Sequence, residues 1–84
     1  MDLLQQARAE IDAVDAEMAA LSERRMRAVA DVARYKAETG KPVFDAAREA
    51  AVLDKNAARI TDETLRPYYR AFLNDAMAVS RAYQ

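Results

Sequence analysis

Apolar side chains return every seven residues over the first part of the chain. Leu4, Ile11, Met18 and Val32 form one column, with Arg25 standing among them, and Ala7, Val14, Leu21, Ala28 and Tyr35 form the column beside it. A repeat of this kind is the packing seam of a helix. The far face carries Glu10, Glu17, Arg24, Arg27, Asp31 and Arg34, spaced to pair with one another along a solvated surface. No Gly or Pro interrupts the run before Gly40 and Pro42, so the pattern predicts one helix over 3–38 stopped by those two breakers. Val43 and Phe44 follow as a short extended link, and Asp45 opens an alanine-rich helix to about residue 60. Residues 61–66 read as a turn with Thr64 as N-cap. Pro67 is tolerated in the first turn of a third helix over 65–83, whose apolar stripe runs through Tyr69, Phe72, Leu73 and Ala76.

The lengths of these elements already say something about assembly. At about 1.5 Å per residue the first helix is about 54 Å long, whereas a compact chain of this size measures roughly 30 Å across. One chain cannot cover such a helix. The expected fold is therefore all-α, a single domain over 1–84 with long, short and medium helices, entwined with a second copy as a homodimeric six-helix bundle.

Composition narrows the chemistry. The 84 residues hold 13 basic and 14 acidic side chains, 20 Ala, and neither Cys nor His. Zinc fingers, haem ligation, His-activated nucleophiles and disulfide scaffolds are excluded. A formal net charge of -1 lacks the basic excess of a nucleic-acid binder. The polar, charged N-terminus does not read as a secretory leader, and no apolar run has the length of a membrane span. A cytoplasmic location is the expectation.

Polar residues at apolar positions mark the candidate site. Arg25 stands in the seam, where an unpaired cation is costly and calls for an anion. Lys36, eleven residues on, lies about 20° around the helix and ~16 Å along it, so the two side chains can grip a small dianion between them. Arg8 is ~25 Å from Arg25 along the same helix, too far to share a small ligand within one subunit. In an antiparallel dimer, however, it approaches the middle of the partner helix. Interfacial ion pairs are the bland reading for all three. Asp45, Arg48, Glu49, Val52 and Asn56 share a face of the second helix; Asp45 is equally an N-cap, and Arg48 with Glu49 a solvent-exposed pair. Ser80 and Gln84 share a face at the end of the third helix, where polar residues are often only frayed ends.

Together these segments resemble the small all-helical class of chorismate mutase over nearly the whole chain. The opening ARAEIDAVD follows the family's L-R-x-x-I-D-x-x-D in all but its first position and carries Arg8. SERRMRAVADVARYK follows the E-R-R stretch leading to V-x-x-x-K, with Arg25 and Lys36; KPVFDAARE follows P-V-x-D-x-x-R-E, with Asp45, Arg48 and Glu49; SRAYQ follows the closing S-x-x-x-Q, with Ser80 and Gln84. Eight positions across three helices are a far more specific signal than one short motif.

The resemblance implies the cofactor-free Claisen rearrangement of chorismate to prephenate, toward phenylalanine and tyrosine. It implies that Arg8, donated by the neighbouring subunit, and Arg25 clamp the two carboxylates, and that Lys36 and Gln84 donate to the ether oxygen. Glu49 and the Asp45 region hold the ring hydroxyl, Arg48 assists in positioning, and Ser80 lines the pocket with a carboxylate contact. Two other enzymes on the same scaffold compete, an isochorismate-pyruvate lyase and a 4-amino-4-deoxychorismate mutase. From another class, a silent helical dimerisation module needs only one or two buried polar residues to fix register, not donors from three helices and two chains. Fusion or complex formation with another shikimate or prephenate enzyme is compatible with the sequence.

Overall fold

A computed structural model describes residues 2–84. Three α-helices follow in order: α1 (Leu3–Thr39), α2 (Ala46–Ala57) and α3 (Arg66–Tyr83), the last entered through a short 3-10 turn, Glu63–Leu65. The described residues contain no strand. The fold is all-α, as the periodicity requires.

α1 begins at a capping box. Asp2 accepts from the Gln5 amide at 2.8 Å, and the Gln5 side chain accepts from the Asp2 amide at 3.2 Å, which satisfies two donors that a helix start otherwise leaves open. Its exposed charges pair within the helix, Arg27 with Glu23 and Arg34 with Asp31. It ends at Gly40, whose φ of 72° lies in the left-handed region that glycine enters without penalty.

Three local expectations need correction. α2 stops at Ala57 rather than near residue 60, because the Arg59 and Ile60 amides bond three residues back, to Asn56 and Ala57, and tighten the chain out of the α-helical register. Thr64 does not cap α3: its amide and hydroxyl both donate to Asp62, which caps the 3-10 turn. With that turn and Pro67 setting the entry, α3 starts at Arg66 without a side-chain cap. Phe72 lies off the buried stripe and is exposed; the buried residues of α3 are Leu73, Met77 and Ser80.

α3 packs against both α2 and α1, while α1 and α2 do not pack on each other. The core, with Ala57 from α2 and Leu73 and Met77 from α3, is accordingly small. α3 shields only the C-terminal half of α1, around Met26, Val29, Ala30 and Ala33. The seam ahead of it, including Leu4, Ile11, Met18 and Leu21, is uncovered within one chain. The dimensions agree: the chain extends 55 Å along its longest axis with a radius of gyration of 15.9 Å, against roughly 12 Å for a compact chain of this length.

Candidate functional site

The gap left where α1 and α2 fail to meet is a cavity of about 160 Å³ floored by α3. Each helix lines it with residues three and four apart, the spacing that places side chains on one face. α1 contributes Arg25, Val29, Val32 and Lys36; the link and α2 contribute Val43, Asp45, Arg48, Glu49 and Val52; α3 contributes Met77, Ser80, Arg81 and Gln84. Val29, Val32, Val43, Val52 and Met77 supply its apolar lining, and the other lining residues are polar or charged.

Seven of the eight residues singled out in the sequence, Arg25, Lys36, Asp45, Arg48, Glu49, Ser80 and Gln84, therefore share one cavity. Arg8 does not reach it. It stands on the uncovered N-terminal half of α1. Asn56, on the predicted face of α2, turns back to donate to the Val52 carbonyl at 2.9 Å and is not among the lining residues.

The polar atoms are held in distinct ways. Arg25 donates through Nη1 to Ser80 Oγ at 2.5 Å, and Ser80, itself buried, donates to the Ala76 carbonyl at 2.9 Å. The neutral hydroxyl fixes the guanidinium without cancelling its charge. Lys36 donates through Nζ to the Val43 carbonyl at 2.6 Å, which anchors the ammonium to the link between α1 and α2. The same link is gripped twice more, by Lys41 over the Tyr35 ring and by Arg81 over the Phe44 ring, each 5.3 Å from the centroid. Asp45 caps α2, accepting from the Arg48 amide at 3.0 Å, so it lines the cavity while serving the helix. Gln84 carries a buried side-chain oxygen with no hydrogen-bond partner among the described residues.

Arg81 escaped the sequence reading. Its Nη1 bonds Glu49 Oε1, and the Glu49 side chain is only 19% exposed, whereas the acids of the other four ion pairs are all above 70%. Nothing in local spacing links residues 49 and 81. The only cue was a basic residue beside Ser80 on the face leading to Gln84.

The charge count is one-sided. Four cations (Arg25, Lys36, Arg48, Arg81) face two carboxylates (Asp45, Glu49), an excess of two positive charges. Among the described residues no ion pair involves Arg25, Lys36 or Arg48. A slot with valine and methionine in its lining and three cations outside any ion pair, two of them oriented by hydrogen bonds, is chemically suited to a small anion. No group of His, Cys, Asp and Glu among the described residues has a metal-binding arrangement, and no described helix is long and apolar enough to cross a membrane.

Comparison with curated proteins gives no match, and neither does comparison with solved structures. A family model does match: that of chorismate mutase type II aligns with residues 7–84, a span that includes α2, α3, all but the first four residues of α1, and every residue of the cavity. The chain belongs to the type II chorismate mutase family.

Proposed function

We propose that the protein converts chorismate to prephenate, and that it does so as a homodimer in the cytoplasm, on the route to phenylalanine and tyrosine. The observation that carries this reading is the net excess of two cations around an apolar slot, which suits a cyclic dicarboxylate. The rearrangement is intramolecular: the ether C–O bond breaks as a C–C bond forms, and no proton, electron or group leaves. A protein accelerates such a step by holding the side chain over the ring and by presenting fixed donors to the oxygen where negative charge develops. Side chains of Arg, Lys, Gln and Glu suffice for that, and no cofactor is called for.

In this reading Arg25, steadied by Ser80, holds one carboxylate, and Arg48 supports the carboxylate side of the site. Lys36 and Gln84 face the ether oxygen; Lys36 keeps free donors beyond the one given to Val43. The Gln84 amide, whose buried oxygen lacks a partner, has hydrogen-bonding capacity left for the ligand, and rotation about its last bond exchanges oxygen for nitrogen. Glu49 and Asp45 hold the ring hydroxyl.

The second copy enters for two reasons. The cavity's volume of about 160 Å³ is below the roughly 300 Å³ at which ligand pockets usually begin, so one chain builds only part of the site. The uncovered seam of α1 supplies the surface for the other part. In the proposed antiparallel dimer, a two-fold axis near Met18 would set Arg8 of the partner subunit level with residue 28, since 18 lies midway between 8 and 28. That is the stretch between Arg25 and Lys36.

The test is loss of chorismate absorbance with chromatographic identification of the product, with isochorismate and 4-amino-4-deoxychorismate run in parallel. Prephenate formation that disappears in Arg25→Ala is expected. Pyruvate release from isochorismate, or turnover of the amino compound alone, would replace this reaction with another on the same scaffold. No turnover of any of the three would contradict it.

A further inference from the structure

We infer that Arg81 is a specificity-determining positioning residue, which makes the Glu49 side of the cavity accept a ring hydroxyl and reject a ring ammonium. The inference rests on the proposed reaction and on the role of Glu49 within it. Three features hold the guanidinium in the wall of the cavity. It bonds Glu49 Oε1, it lies over the face of Phe44 at 5.3 Å, and it stands in the last turn of α3, where the helix dipole favours a cation. Arg81 and Glu49 come from different helices and are respectively 32% and 19% exposed at their side chains, so the pair is shielded from the screening that weakens ordinary surface pairs.

The chemical consequence follows from what each substituent asks of the carboxylate. Glu49 offers about four lone-pair sites, and Arg81 Nη1 takes one on Oε1. A hydroxyl donates one hydrogen bond, carries no charge, and is served by the sites that remain. An ammonium needs the carboxylate's negative charge, which Arg81 already balances, and it must also sit beside a fixed guanidinium of like sign. The other carboxylate, Asp45, spends Oδ1 on the cap of α2; its charge is the same with or without Arg81, so it does not alter the contrast between variants at position 81. Arg81 touches no reacting atom in this scheme; it acts through Glu49.

The experiment compares kcat/KM for chorismate and for 4-amino-4-deoxychorismate in the full-length chain, in Arg81→Gln and in Arg81→Lys. Arg81→Gln removes the charge and retains a donor. The expected result is a rise in the amino-to-hydroxyl ratio of at least about tenfold, with Arg81→Lys keeping the original ratio. Should Arg81→Gln not fold, Arg81→Met retains the stem over Phe44 and gives the same contrast. A purely structural role would lower both activities together and leave the ratio unmoved, and that result overturns the inference. Absence of chorismate turnover in the unaltered chain overturns the reaction and this role with it; chorismate turnover with an unmoved ratio overturns the role of Arg81 alone.

Discussion

Lys36 shows how a single side chain is prepared for work. Its ammonium has three donors, and the Val43 carbonyl occupies one at 2.6 Å, which fixes the direction of the others before any ligand arrives. A preset donor aimed at developing charge is worth roughly 3 to 4 kcal/mol, and the proposed rearrangement depends on such donors. Lys36→Ala is therefore expected to lower kcat at least about a hundredfold while the helical content by circular dichroism is unchanged. Turnover near that of the unaltered chain would remove Lys36 from the site. Arg25 was legible because a long cation is conspicuous in an otherwise apolar register, Lys36 because it lies about 20° around the helix from Arg25, and Ser80 and Gln84 because they share one face. Arg81 was not, since a basic residue in a final helical turn is the ordinary complement of the helix dipole. Its partner, Glu49, lies 32 positions away in the chain, a distance that only packing closes.

At the scale of elements, breakers and caps decide where the cavity can exist. Gly40 ends α1 in the left-handed conformation, and the link that follows swings Val43 back over Lys36. α2 never packs on α1, and the unfilled space is the cavity of the candidate site. The long helix was plain from its seven-residue repeat. The junction between α2 and α3 was not, because Asp62 and Thr64 are both good capping residues and only the fold selects between them. The two hydrogen bonds from Thr64, hydroxyl first and amide second, hold the Asp62 carboxyl below its ordinary value of 3.8. A carboxyl whose folded value is depressed stabilises the fold above its unfolded value and loses that contribution as pH falls through the lower, folded one. Asp62→Ala is expected to lower the Tm at pH 7, and the gap between the two chains should narrow progressively below about pH 4. A gap that stays constant from neutral to acid pH would show that the ionised carboxylate is not what holds this turn.

Taken whole, the molecule is longer than it can cover. α1 has no buried residue, and large apolar side chains including Leu4, Ile11 and Leu21 lie more than half exposed, an arrangement that calls for a second helix along the same seam. The mismatch between helix length and chain length made this visible in the sequence, together with the isolation of Arg8 from the other cations. Where a two-fold axis would cross α1 is not fixed by the repeat, which marks only the face to be covered.

The proposed account has one property that no single-chain enzyme shares: each site joins Arg25 of one subunit to Arg8 of the other. Arg8→Ala and Arg25→Ala should each abolish prephenate formation alone. Mixed in equal amounts and allowed to exchange subunits, half the dimers become mixed, and each of these holds one intact site beside one doubly damaged one. The decisive measurement is chorismate turnover of that mixture. Recovery to about a quarter of the unaltered activity is predicted from this symmetry. No recovery despite demonstrated subunit exchange, or full activity in Arg8→Ala by itself, would contradict a site shared between two copies.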